Sequence, residues 1–168
     1  MKILVTERVI VREVEVADAA FILDLLNQPS FIKYIGDRGV RTIVEAGEFI
    51  ENRYRQSYRD FGFGLYVVKL KADPTPLGIC GFVKRDTLPD ADIGFAFLPQ
   101  YWGQGYAFEA AAAVMRYGRE VLGLKRVLAI TSQDNESSGR LLEKLGFVYD
   151  GLRKMPRDEQ ELKLFSRG

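Results

Sequence analysis

The sequence predicts one mixed α/β domain of the α+β type, a mostly antiparallel central sheet flanked by about four helices. Three observations predict it. Short runs rich in β-branched and aromatic residues follow one another between residues 61 and 98, separated only by proline- and aspartate-bearing turns. A glycine-rich turn then opens an alanine-rich helix that leads to a further strand, as a crossover does. The 168 residues, 47% hydrophobic and 28% charged, suit a single domain, residues 1–168, with a proper core.

Each element has a local cause. Arg8 to Val14 alternates and is β-branched, so it reads as a strand. Asp18 caps a helix from Ala19 to Leu26, which stops at Asn27-Gln28-Pro29. Thr42-Ile-Val-Glu45 is a capping box that opens a second helix to about Tyr58. Phe61 to Leu70, Leu77 to Lys84 and Ala91 to Leu98 are three strands, with turns at Lys71 to Pro76 and Leu88-Pro89-Asp90. The glycine turn starts a helix running from about Gly105 to Val121, and Gly123 stands where a C-terminal cap belongs. Arg126 to Thr131 is a strand. Asp134 or Asn135 caps a helix to Leu145, closed by Gly146. Phe147 to Asp150 and Leu162 to Ser166 are closing strands.

Composition excludes several chemistries. The chain has no histidine, so no Ser-His-Asp or Cys-His site forms within it, nor a His-ligated zinc. The single cysteine, Cys80, makes neither an intrachain disulfide nor a thiolate metal site, and its setting in LGICGFV reads as an inert buried strand thiol. Hence no metal is expected. Basic and acidic residues number 24 and 23, which gives no sign of a nucleic-acid partner. No apolar run approaches the roughly 20 residues of a membrane span, and the charged N-terminal stretch does not read as a signal peptide. The expected location is the cytoplasm.

Chemistry concentrates at Trp102-Gly103-Gln104-Gly105-Tyr106-Ala107. A helix N-terminus offers free N–H groups and about half a positive charge to an anion. Gly103 and Gly105 leave room for close approach of backbone to a phosphate. A Walker loop needs a G-x-x-x-x-G-K-[ST] run, which is absent. A dinucleotide fingerprint begins at Gly103-x-Gly105 but fails at Phe108, where a small residue is required. A glycine turn with no ligand stays open on these residues alone.

The loop resembles the Q/R-x-x-G-x-G/A pyrophosphate loop of the GNAT N-acetyltransferase superfamily. YWGQGYAFEAA is similar to the branch holding the RimJ/RimL-type ribosomal-protein N-terminal acetyltransferases. The resemblance continues along the chain in order. It takes in Thr6 to Arg12, Asp18 to Pro29, Ile93-Gly94-Phe95, Asn135 to Ser138 and Leu142 to Phe147. One position departs from the pattern: Leu142 stands where many members carry a general-acid tyrosine.

The resemblance implies a GNAT-like fold and direct transfer of acetyl from acetyl-CoA to a primary amine, with no covalent enzyme intermediate. Trp102, Gly103, Gln104, Gly105, Tyr106 and Ala107 would hold the CoA pyrophosphate. The backbone of Phe97 and Leu98 would pair with the pantetheine arm and polarise the thioester carbonyl. Asn135 would hydrogen-bond that arm, as well as capping its helix. Ser138 would protonate the departing thiolate and touch the cofactor; its alternative is a helix-start hydroxyl bonded to nearby backbone. Asp92, on one strand face with Gly94, Ala96 and Leu98, is the candidate base acting through water; its alternative is a solvated carboxylate at a strand start. A weak base suffices for an α-amine, whose pKa is about 7.7–8.0, but not for a lysine near 10.4. Tyr101, Trp102 and Tyr106 either line the cofactor groove or simply pack. Phe31 to Arg41 and the turn Lys154 to Gln160 would border the acceptor. The acceptor is then a peptide or protein N-terminus or a small molecule, and the enzyme a monomer or homodimer. The rival reading is an acyl-CoA-binding, sensing domain without catalysis, which Leu142 keeps open.

Overall fold

The computed structural model describes residues 2–156, 158 and 160–168. One sheet of eight strands runs in the order β1-β2-β3-β4-β5-β6-β8-β7. The strands are β1 (Lys2–Val5), β2 (Val9–Glu13), β3 (Leu65–Leu70), β4 (Pro76–Val83), β5 (Asp92–Phe97), β6 (Val127–Thr131), β7 (Val148–Arg153) and β8 (Leu162–Arg167). Every pairing is antiparallel except β5 with β6. The helices are α1 (Ala19–Leu26), α2 (Pro29–Tyr34), α3 (Ile43–Phe49), α4 (Gln56–Phe61), α5 (Tyr106–Glu120) and α6 (Glu136–Lys144). A π-helical stretch, Ile50–Arg55, joins α3 to α4, so five helical bodies flank the sheet among the described residues.

Strand alternation divides the core into two layers. On one face Tyr66, Val68, Cys80, Phe82 and Ile93 meet Ala110, Ala111, Val114 and Met115 of α5. On the other, Val67, Ile79 and Leu98 meet Ile22, Leu25 and Leu26 of α1 and Ala46 of α3. The alanine run of α5 is therefore packing surface, as its small side chains allow a helix to lie close to a sheet. Cys80 is fully buried, and burial pushes its thiol up to about 12, so it is not a nucleophile at neutral pH.

Several boundaries differ from expectation. β1 was not foreseen; it pairs with β2 as a short hairpin arm. Pro29 reads as a stop, yet it starts α2, because a proline at the first helical position loses no hydrogen bond. Phe61 was assigned to a strand, but it ends α4, and Gly62 caps that helix at φ 77°. β3 thus begins only at Leu65. The turn Lys154 to Gln160 includes Arg157 and Glu159, which lie outside the described residues.

Candidate active site

The one parallel pair makes the site. β5 and β6 register through a single residue pair, Asp92 with Leu128, supported by the Leu128 N–H donating to the Ala91 carbonyl at 2.9 Å. Beyond that point the two strands part. Each then feeds a helix at its carboxyl end: β5 leads to α5 and β6 leads to α6. The crevice outside the carboxyl ends of diverging parallel strands is where open α/β sheets bind ligands, and both flanking helices bring their N-termini towards it.

Backbone phase decides which β5 groups face the opening. The Leu98 N–H donates to the Leu77 carbonyl at 2.9 Å, so Leu98, Ala96 and Gly94 spend their polar groups on β4. Phe95 and Phe97 therefore point theirs towards β6, into the opening. This corrects the assignment of Leu98 as a backbone partner of the ligand arm. Its N–H is already used, and its side chain is buried against α1. Phe97 and Phe95 turn their backbone groups to the opening. The Phe97 carbonyl accepts the indole N–H of Trp102 at 2.8 Å. Trp102 thus ties the loop to the strand end.

The loop has the backbone that its glycines allow. Gly103 and Gly105 both lie in the left-handed region, at φ 73° and 84°, and Gly105 is the N-cap of α5. Side chains reinforce the turn. The Gln104 amide donates to the Gln100 carbonyl at 3.2 Å, and the Gln104 carbonyl accepts from Arg8 at 3.0 Å. Tyr106 lies under the Arg8 guanidinium, 4.4 Å from the ring centre, while Ala107 packs against the core.

The other arm holds Asn135 and Ser138. The Asn135 Oδ1 accepts the Ser138 N–H at 3.3 Å, the ordinary N-cap bond of α6. Before the cap come two buried hydroxyls, Thr131 Oγ1 and Ser132 Oγ, that meet no hydrogen-bond partner among the described residues. Buried hydroxyls are normally satisfied by protein, ordered water or ligand, so this pair at the end of β6 has bonding capacity to spare beside the opening. Sequence reasoning missed both. The signal was available, since two polar residues close an otherwise apolar strand.

Asp92 does not have the setting expected of it. It is 1% exposed, and its carboxylate accepts from Arg85 Nε at 3.0 Å and Nη2 at 3.4 Å. Burial raises its pKa above the usual carboxylate range, and Arg85 pulls it back down. Both oxygens are held and solvent is excluded, so Asp92 is a structural ion pair at the vertex where β5 and β6 part. Burial rules out the alternative of a solvated strand-start carboxylate, and the pairing with Arg85 leaves neither oxygen free for the role of base acting through water.

A model of the acetyltransferase (GNAT) domain matches residues 8–148. The chain belongs to the GNAT acetyltransferase family. The N-acetyltransferase YoaA of Bacillus subtilis is 30% identical over 151 residues, 89% of this chain and 85% of that protein. The ribosomal protein uS5-alanine N-acetyltransferase of Escherichia coli is 30% identical over 108 residues, 61% of this chain and 53% of its own. The fold of RimL, a ribosomal L7/L12 α-N-protein acetyltransferase solved with coenzyme A, superposes with TM-score 0.86 at 16% identity, covering 99% of this chain and 97% of that one. The likeness thus runs to the RimJ/RimL-like branch of this GNAT family. Acetyl transfer to an amine is the activity of this GNAT chain, and these findings favour it over a non-catalytic binding domain. No helix among the described residues is long and apolar enough to cross a membrane.

Proposed function

We propose that this enzyme transfers acetyl from acetyl-CoA to an α-amine at the N-terminus of a peptide or protein. The observation that carries the cofactor half is the parting of β5 and β6 beside the loop that Gly105 caps. When bound, acetyl-CoA supplies a thioester: the amine nitrogen takes the acetyl carbon, the C–S bond breaks, the amine loses a proton and the thiolate gains one. The chain's residues do the rest. Loop N–H groups from Gly103 to Ala107 face the diphosphate. The Phe95 and Phe97 backbone pairs with the arm and donates to the thioester oxygen, where pre-placed donors contribute a few kcal/mol to the transition state. Thr131, Ser132 and the Asn135 amide line the far side.

The acceptor half rests on what the site has for proton removal. The chain has no histidine, and the nearest assigned carboxylate, Asp92, is locked to Arg85. An α-amine, with pKa about 7.7–8.0, presents enough neutral form at pH 7 to react without a strong base, whereas a lysine near 10.4 does not. The names of the uS5 and L7/L12 enzymes point the same way.

Ser138 gives the proton to the leaving thiolate in this reading, its hydroxyl recovering one from solvent. Its main-chain N–H, not its hydroxyl, makes the cap bond, so the hydroxyl is not needed for the helix. Ser138→Ala is expected to lower kcat by roughly a hundredfold, the usual worth of a positioned acid, while leaving acetyl-CoA affinity within a factor of about three. Steady-state kinetics and calorimetry on the same preparation check it; an unchanged kcat removes Ser138 from the chemistry.

A further inference from the structure

Arg8 is far from the glycine loop in sequence and against it in space. It sits between β1 and β2 and reaches over the start of α5. Its Nη1–H donates to the Gln104 carbonyl at 3.0 Å and its Nε–H to Glu109 Oε1 at 2.6 Å. Its main-chain N–H and the Thr6 hydroxyl both donate to Glu109 Oε2, at 2.8 and 2.5 Å. Its Nη2 stands 3.2 Å from where a Cβ on Gly105 would be. No lysine or arginine occurs between Leu98 and Phe108, so the loop itself carries no cation.

Glu109 poses an electrostatic problem. It sets a carboxylate in the first turn of α5, beside the loop assigned to a diphosphate. A carboxylate there is favourable to the helix but opposes a bound anion. Burial works against the Glu109 charge, yet bonds from Thr6 and Arg8 outweigh it and hold the group ionised below its ordinary range. The group is therefore charged at neutral pH, and Arg8 is the cation set against it. Arg8 also fixes a peptide plane. In a trans peptide the C=O and the next N–H point opposite ways, so pinning the Gln104 carbonyl on Arg8 turns the Gly105 N–H away from Arg8.

We infer that Arg8 is a positioning residue for the diphosphate loop: it neutralises Glu109 and pins the Gln104 carbonyl, so that the loop N–H groups stay turned to the anion. The inference rests on the acyl-CoA reading of the loop given above. Arg8 brings, from a distant point of the same chain, a cation to a loop that has none of its own.

The test is calorimetric titration of the protein with CoA in five forms: wild type, Arg8→Met, Arg8→Met/Glu109→Gln, Arg8→Lys and Arg8→Lys/Glu109→Gln. Arg8→Met is expected to weaken CoA about tenfold, the scale of one charge-assisted contact beside an anion. Removing the stranded carboxylate in the double variant is expected to return most of that loss. A purely structural tie predicts no such return, because the double variant lacks the tie just as completely. Equal weakness of the single and double variants, or wild-type affinity in Arg8→Met, overturns the inference. If Arg8→Met does not fold, Arg8→Lys carries the test: Arg8→Lys/Glu109→Gln should bind CoA at least as tightly as Arg8→Lys, and weaker binding overturns it. Wild-type protein that does not bind CoA removes the reading of the loop itself, whereas binding that ignores Arg8 removes only this inference.

Discussion

Gly105→Asp is expected to abolish acetyl-CoA binding, with a loss of at least about a hundredfold in affinity. Three effects act together. Gly105 lies at φ 84°, a left-handed conformation that costs a residue with a Cβ of order 1–2 kcal/mol. A Cβ there comes within 3.2 Å of Arg8 Nη2, so the clamp on the loop must shift. The new carboxylate then stands at the N-cap of α5, where the diphosphate is proposed to sit, and like charges at contact repel. The strain falls at the first turn of α5, whose buried Ala110, Ala111, Val114 and Met115 still anchor the helix, so the loss should be local. Calorimetry with acetyl-CoA, beside a circular dichroism spectrum that matches wild type, checks it. Undiminished affinity would remove the loop from the cofactor site.

Arg85→Met is expected to destabilise the fold by roughly 2–3 kcal/mol at pH 7, since breaking a pair around a buried charge strands that charge. Asp92 is the buried member, and Arg85 is its only side-chain partner among the described residues. For 168 residues this corresponds to a fall in Tm of about 5–10 °C. The effect has a pH signature. Burial raises the Asp92 pKa in the folded state. A carboxyl whose folded pKa lies above its unfolded value favours the fold while protonated, and that contribution is lost as pH rises through the folded pKa. Losing Arg85 raises the folded pKa further, so the deficit against wild type should be largest at neutral pH and should shrink on acidification towards pH 4. Arg85→Met/Asp92→Asn should regain most of the loss at pH 7. Denaturant titrations at two pH values decide it; a deficit independent of pH would mean that Arg85 acts through packing alone.

The glycine loop was legible because its requirements are local. Gly103 and Gly105 do take the left-handed backbone, and the helix that follows is amphipathic and alanine-rich. Asn135 was equally legible as a cap. What escaped depends on distance or on phase. Leu98 and Phe97 are neighbours in sequence, and only the register with Leu77 shows which of them faces the opening. Asp92 reads as a strand-start carboxylate until Arg85, seven positions away, folds over it. Arg8 gives no local sign of a role, because its partners lie 96 and 101 positions on, brought to it by the fold. Pro29 and Phe61 show the same limit at element ends, where one residue type serves both as a stop and as a start.

The central claim is that the opening between β5 and β6 delivers acetyl to an α-amine. The most direct measurement is release of free CoA thiol from acetyl-CoA with paired acceptors, a short peptide with a free N-terminus and no lysine, and its N-terminally blocked counterpart carrying one lysine. Thiol release with the first peptide at pH 7, with the acetyl group located on its α-amine by mass spectrometry and far slower release with the second, is the predicted result. Faster acetylation of the lysine peptide, or bound acetyl-CoA with no transfer to either, would contradict it.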